Sequence, residues 1–398
     1  MGFRTGHSTE TALIAVTEEA RKRVDQGLTT VIIMLDLSTA FDTVDHQVLI
    51  QRMRELGIKE QALAWFPSFL QDRSFLVLDR SFLSNKLQCR CGVPQGSALS
   101  PTLLNIYMSP LASLVESFGL ALVSYADDTQ LVISFSANET SEGATFLTCM
   151  QAVSSWMTQS KLQLNEEKTE AMILAPEPKP GISRTCPSAL SEFPPPKKHV
   201  KSLGISLDPL LTLDLQATNI STTCFALLRL LRKIFVILPA LARRLIVQAV
   251  ILSRLDYGNG LFLGSPVYVK KKLQRVQNAA ARLLLNIPRS SSVKAGLASL
   301  HWLPVVQRIK FKALCHIHRS LHDRGPMLLR NLATFYRPNR DLRSTTLALV
   351  TVPKIKKARW GGSSLMFLGA KLWNSLPLNL RLMEQELEFR KALKTWLF

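Results

Sequence analysis

Apolar and polar positions change period several times along the first half of the chain. From Thr9 to Arg23 apolar residues return every 3.6 positions, which predicts an amphipathic helix after an opening loop at Gly2. The run Val31-Ile32-Ile33-Met34-Leu35 predicts a strand that ends at Asp36. Two helices are expected around Asp45–Leu56 and Gln61–Gln71, then short strands near Phe75–Leu78 and Lys86–Arg90 and a Pro/Gly loop at Gly92–Ser97. A long apolar helix over about Pro101–Phe118 leads into two apolar runs, Leu120–Ser124 and Thr129–Ser134. These read as the arms of a β-hairpin with Tyr125-Ala126-Asp127-Asp128 at its tip. A helix over roughly Ser141–Lys161 and a strand over Glu170–Ala175 complete an α+β pattern of mixed strands with helices on one face.

The second half differs. Seven of the 24 residues from 176 to 199 are proline, which bars helix interiors and central strands and marks a linker. Val200–Leu207 reads as a strand. Leu215–Leu285 is helical and rich in Leu, Arg and Lys, and the last hundred residues are mostly helical with breaks at Pro304, Pro326, Pro338, Pro353 and Pro377. There is no internal repeat.

Charge sharpens this division. The 398 residues carry a net +20, but residues 1–200 hold 17 Lys/Arg against 21 Asp/Glu (−4), while residues 201–398 hold 32 against 8 (+24). A basic half of this strength is expected to hold a polyanion, most commonly nucleic acid. A membrane partner lacks support: the longest apolar run, Ile234–Ala242, is far short of the ~20 residues that span a bilayer, and Gly6 stands where myristoylation prefers Ser or Thr. Six scattered cysteines form no C-x-x-C pair or disulfide framework, which fits a reducing, intracellular compartment and a soluble protein.

Two adjacent carboxylates at the tip of an apolar hairpin are costly, since unpaired buried charge is strongly unfavourable and the two repel. A divalent cation makes such a site tolerable. If the strand ending at Asp36 neighbours the hairpin, three carboxylates converge where metal ions could activate a hydroxyl and stabilise a departing phosphate. Taken alone, an Asp-Asp pair in a hairpin is more often a turn or cap.

The ordered motifs Gly2-Phe3-Arg4-Thr5-Gly6-His7-Ser8-Thr9-Glu10, Leu35-Asp36-Leu37-Ser38-Thr39-Ala40-Phe41-Asp42, Gly92-Val93-Pro94-Gln95-Gly96-Ser97, Tyr125-Ala126-Asp127-Asp128, Leu162-Gln163-Leu164-Asn165-Glu166-Glu167-Lys168 and Val200-Lys201-Ser202-Leu203-Gly204-Ile205 closely resemble the reverse transcriptase of non-LTR retrotransposons (LINE elements) of the jockey-like type. Ser253-Arg254-Leu255-Asp256-Tyr257-Gly258-Asn259, His301-Trp302-Leu303-Pro304 and Leu372-Trp373-Asn374-Ser375-Leu376-Pro377 extend the resemblance through the second half.

The resemblance implies a right-hand polymerase. Its divisions would be a fingers remnant at 1–30, a palm at 31–175, a Pro-rich linker at 176–199, a primer-grip strand and helical thumb at 200–290, and a helical basic region at 291–398. It implies Asp36 and Asp127 as ligands of two Mg²⁺ ions, with Mn²⁺ as a substitute, and Asp128 as their support. Phe41 would stack beneath the nucleotide sugar and select a DNA product. Pro94, Gln95 and Gly96 would pack against nucleotide and template. Lys168 would protonate the leaving pyrophosphate, a role that competes with that of a solvated surface lysine. Leu203 and Gly204 would grip the primer. Arg229, Arg232, Lys233, Arg243, Arg244, Lys270, Lys271, Lys272 and Arg275 would form the positive face that meets phosphates. The implied partners are an RNA template, a DNA or RNA primer and dNTPs.

Met1 leads almost directly into the Gly-Phe-Arg motif, so an upstream endonuclease and most of the fingers are expected to be missing and activity to be weak. A non-catalytic nucleic-acid-binding remnant is the alternative from a different class. A group II intron maturase, a third reading, is disfavoured by the Asp-Leu-Ser-Thr-Ala-Phe-Asp wording. Cys315, His318 and His322 share one helical face but lack a second ligand pair at zinc spacing, so packing is the expectation there.

Overall fold

The computed structural model describes residues 2, 4–136, 141–165, 167–176, 195–337 and 347–398. Most of the expected Pro-rich linker, residues 177–194, lies outside the described residues. The chain forms two compact units. One is built on residues 29–173, and the other on residues 6–28 and 198–398.

The elements run α1 (Thr9–Asp25), β1 (Thr29–Leu35), β2 (Leu37–Ser38), α2 (His46–Glu55), α3 (Glu60–Leu70), β3 (Ser74–Phe75), β4 (Leu78–Asp79), β5 (Phe82–Leu83), β6 (Leu87–Gln88), α4 (Ser100–Ser117), β7 (Ala121–Tyr125), β8 (Asp128–Phe135), α5 (Ser141–Gln159), β9 (Gln163–Leu164) and β10 (Glu170–Leu174). The first unit centres on a four-stranded sheet in the order β10-β1-β8-β7. β1 and β8 pair antiparallel from Thr29↔Phe135 to Leu35↔Thr129, and β7 returns along β8. The core joins one face of this sheet to the helices: Val31, Ile33, Leu35, Leu131 and Ile133 pack with Leu104, Tyr107 and Leu111 of α4 and Phe146 and Val153 of α5. This is the α+β class read from the sequence. Strands of β1 type, buried on both faces, read as the continuous apolar run that marked them.

A buried arginine ties these helices together. The Arg52 guanidinium lies over the rings of Tyr107 and Trp156, at 4.4 and 4.9 Å, and donates to the Tyr107 carbonyl and the Ser160 hydroxyl. Tyr107 in turn donates its hydroxyl to the Ser160 carbonyl. At the other extreme, the paired short strands β3·β6 and β4·β5 leave Phe75, Leu78, Phe82 and Leu83 exposed.

In the second unit, Val200–Leu207 is not the single strand its apolar pattern suggests but the hairpin the resemblance implies, β11 (Val200–Ser202) and β12 (Ile205–Leu207), paired antiparallel. The turn is set by Leu203 at φ 45° and Gly204 at φ 77°, left-handed values that a run of apolar residues conceals. Then come α6 (Asp214–Ile234), α7 (Ala240–Val247), a π turn at Gln248–Leu252, α8 (Ser253–Asp256), α9 (Val267–Leu285), α10 (Lys294–Ser299), α11 (Val305–Leu321), α12 (Leu365–Asn374), α13 (Leu378–Arg381) and α14 (Glu386–Leu397).

α1 packs within this second unit, not as a separate N-terminal remnant. Its three buried carboxylates explain why. Glu10 accepts the Gly260 amide at 2.8 Å, and Glu18 accepts the Leu365 and Met366 amides at 2.9 and 3.0 Å at the start of α12. Asp25 accepts the amides of Lys356, Lys357 and Gly361. Carboxylates at helix starts and amide clusters are satisfied as acceptors and screen the unpaired N–H groups. Burial raises Glu10, but His316 and Lys312 outweigh it and hold its carboxyl below the usual range. No described helix is long and apolar enough to cross a membrane.

Candidate active site

The β7–β8 hairpin closes through a two-residue turn, Ala126-Asp127, with Tyr125 paired to Asp128. Ala126 sits at φ 57°, which turns the chain tightly enough to place successive carboxylates at the tip. Gly2 packs against this turn, where a Cβ would stand 3.0 Å from the Ala126 amide nitrogen, and Asn105 Nδ2 donates to the Gly2 carbonyl at 2.9 Å. Asp36 follows Leu35, the last β1 residue paired with β8, so it comes one step beyond the Leu35↔Thr129 pair, beside the start of β8.

The electrostatics report the same convergence. The Asp128 carboxyl is pushed above its ordinary value, first by desolvation and then by the negative charges of Asp127 and Asp36. By strand register, the carboxylates at positions 36, 127 and 128 lie at one end of the β1–β8–β7 sheet.

Lys168 stands beside the site: its Nζ lies 3.9 Å from Asp36 Oδ2, with the side chain 70% exposed. Its placement is secured by Asn165, whose amide donates to the Asp36 carbonyl at 2.9 Å and whose side chain accepts the Lys168 amide at 3.2 Å. Thr169 Oγ1 closes the turn on the Asn165 carbonyl.

The Pro94-Gln95-Gly96 loop is stitched to the segment after β2. Val93 donates its amide to the Phe41 carbonyl at 2.8 Å, and Gln95 Nε2 donates to both Asp42 carboxylate oxygens at 3.0 and 3.2 Å. His46 Nε2 donates to the Gly92 carbonyl at 2.8 Å, and Ser100 Oγ to that of Pro94 at 2.6 Å. Phe41 is half-buried against the core of this unit. Gly96 sits at φ 86° with no protein atom within 4 Å of a would-be Cβ, which leaves that side of the loop open to a ligand. The close approach within the protein falls at Gly92, where a Cβ would meet the Asp42 carbonyl at 2.8 Å. Asp42, His46 and Gly92 were not assigned roles from the sequence. Asp42 lies six residues after Asp36 in the same motif, and only its pairing with position 95 reveals its task.

In the second unit, the β11–β12 turn carries Leu203 and Gly204, and Tyr257 donates its hydroxyl to the Leu203 carbonyl at 2.6 Å. The nine expected phosphate-binding residues divide. Arg229, Arg232 and Lys233 on α6 and Lys271 and Arg275 on α9 are exposed. Lys272 is instead paired with Asp214 at 2.6 Å, and Lys270 donates to the Leu263 carbonyl at 2.7 Å. Burial, then Lys310, draws the Lys270 ammonium down. Arg243 donates to the Leu238 carbonyl and Arg244 to that of Leu300. Cys315, His318 and His322 pack as expected: burial pushes the Cys315 thiol up to about 12, and His318 donates to the Met383 carbonyl while stacking on Phe389 at 4.3 Å.

The family model described as "Reverse transcriptase (RNA-dependent DNA polymerase)" matches residues 1–207, just over half of the chain. The chain is similar to the probable RNA-directed DNA polymerase from transposon BS of Drosophila melanogaster, at 29% identity over 58% of this chain and 26% of that protein. It is also similar to the RNA-directed DNA polymerase from mobile element jockey of the same species, at 29% identity over 55% of this chain and 24% of that protein. It therefore spans about a quarter of the length of these relatives. Among solved structures it is similar to the telomerase of Candida albicans in complex with a fragment of telomeric RNA, with a TM-score of 0.40 and 13% identity over 74% of this chain and 44% of that one. With the palm-type sheet and its clustered carboxylates inside the matched segment, the chain belongs to the reverse transcriptase family, and its relatives are the polymerases of non-LTR retrotransposons.

Proposed function

We infer that this chain carries the nucleotidyl-transfer centre of an RNA-directed DNA polymerase, which extends a DNA or RNA primer with dNTPs along an RNA template. The observation that carries the reading is the strand register, which brings Asp36 at the end of β1 and Asp127 and Asp128 at the β7–β8 turn to the same end of the sheet; the raised Asp128 carboxyl accords with it. A cluster of like charges is relieved by a cation. Among the described residues no three His, Cys, Asp or Glu groups are arranged to hold an ion by themselves. Mg²⁺ is held through one or two carboxylates and completes its shell with water and substrate phosphate.

Asp36 and Asp127 would hold Mg²⁺, with Mn²⁺ as a substitute, and Asp128 would support them. When bound, the cations supply activation of the primer hydroxyl and neutralisation of phosphate charge. Phe41, held by its carbonyl to Val93, would floor the sugar of the incoming nucleotide. Pro94, Gln95 and Gly96 would position nucleotide and template, with Asp42 fixing Gln95. Lys168, facing Asp36, would hold a proton for the departing pyrophosphate. Leu203 and Gly204 would steady the primer end, and the exposed Arg229, Arg232, Lys233, Lys271 and Arg275 would meet backbone phosphates without reading sequence.

The second reading, a binding protein without catalysis, is favoured by the +24 charge of residues 201–398. Primer extension on a homopolymeric RNA template with the complementary dNTP decides between them: cation-dependent addition of nucleotides is expected, and its absence with tight template binding supports the second reading.

A further inference from the structure

Two adjoining cavities in the second unit lie away from the exposed cations of α6 and from the β11–β12 turn. The smaller, about 370 Å³, is lined by Arg244, His301, Trp302, Arg308 and Lys394 among others. The larger, about 580 Å³, shares Asp256, His301, Arg308 and Lys394 with it and continues past Arg319 and Arg390. Together their walls carry six Lys/Arg side chains against two carboxylates, Glu10 and Asp256.

Four of these cations are paired internally, Lys312 with Glu10, Arg308 with Asp256, and Arg319 and Arg390 with Glu386, and three donors in the smaller cavity are not. Lys394 has no acidic partner among the described residues. Arg244 makes one long hydrogen bond, to the Leu300 carbonyl at 3.3 Å. Trp302 is 3% exposed, yet its indole N–H has no acceptor among the described residues. A buried, unmet donor is unfavourable by about 1–3 kcal/mol and calls for a ligand or water. Arg308, by contrast, is fixed by Asp256 at 2.5 Å, which sets a guanidinium rigidly in the wall shared by both cavities.

We propose that the smaller cavity is a binding site for a backbone phosphate of a nucleic-acid strand, with Arg244, Lys394 and the Trp302 indole as its donors. The choice of nucleic acid as the polyanion rests on the polymerase reading, but the site itself rests on the geometry.

Equilibrium binding of a labelled single-stranded oligonucleotide, followed by anisotropy across a salt series without dNTPs, tests the proposal whether or not the chain polymerises. Lys394→Gln is expected to weaken binding about three- to tenfold and to reduce the salt slope by about 0.7, the value for one lost phosphate contact on a single strand. Lys391→Gln, on the same helix but outside both cavities, serves as the reference. Trp302→Phe keeps the ring and removes the donor, with an expected loss of about fivefold. Lys394→Gln indistinguishable from Lys391→Gln in both affinity and slope overturns the site.

Discussion

The Lys168 ammonium stands 3.9 Å from the Asp36 carboxylate, held there by an asparagine that bonds the backbone of both. The pairing joins a surface lysine to a strand-end carboxylate 132 positions away and gives the lysine a reason to be ordered. Lys168→Met is expected to lower the single-turnover rate of nucleotide addition by about 10²–10⁴ if the ammonium delivers a proton, with template binding unchanged. A shift in dNTP KM alone, at constant rate, would reduce Lys168 to a charge partner of Asp36.

Asp128 gives a prediction with a defined pH sign. Its folded-state value lies above the ordinary one, so the ionised carboxylate disfavours the folded state. The penalty is fully present above the raised value and vanishes once the pH falls below the ordinary carboxylate value. Asp128→Asn should therefore raise Tm at neutral pH by about a degree or two, since partly exposed charges contribute only ~0–1 kcal/mol. The gain should disappear on acidification, and added Mg²⁺ should stabilise the parent more than the variant. Differential scanning fluorimetry across pH, with and without the cation, checks all three.

Gly92 and Gly96 both sit in the left-handed region, at φ 85° and 86°, but only Gly92 is crowded. Gly96→Ala should be destabilising by about 1 kcal/mol from backbone strain. Gly92→Ala adds a clash with the Asp42 carbonyl and should exceed it, at about 2–3 kcal/mol, as read by chemical denaturation.

The contrast between the two glycines also shows what the chain's wording makes legible. The β7–β8 hairpin and β1 were readable because strong apolar runs end at carboxylates, and both fall within a residue or two of the expected bounds. Periodicity alone read Val200–Leu207 as one strand, because a leucine occupies a left-handed position inside an apolar run, whereas the family resemblance implied a hairpin there. The pairing of Lys272 with Asp214 spans 58 positions, so the sequence reading placed Lys272 among the phosphate-binding residues. The docking of α1 was hidden for the same reason: Glu18 and Asp25 look like solvated helix charges until their amide partners, more than 330 positions on, are seen.

That docking is testable by itself. Asp25→Ala leaves the amides of Lys356, Lys357 and Gly361 without their acceptor, a change expected to destabilise the protein by about 1–3 kcal/mol. Hydrogen exchange should accelerate at those amides and at α12, and hardly at all in the sheet of the first unit. Uniform acceleration across both units would show that α1 does not act locally.

The most direct measurement is primer extension by the Asp36→Asn/Asp127→Asn double variant beside the parent, with template-primer affinity measured in parallel. Extension should fall by at least about 10³, the loss of several kcal/mol of charge stabilisation, while affinity changes less than about threefold. Extension by the double variant at the parent rate would contradict a catalytic role for these carboxylates.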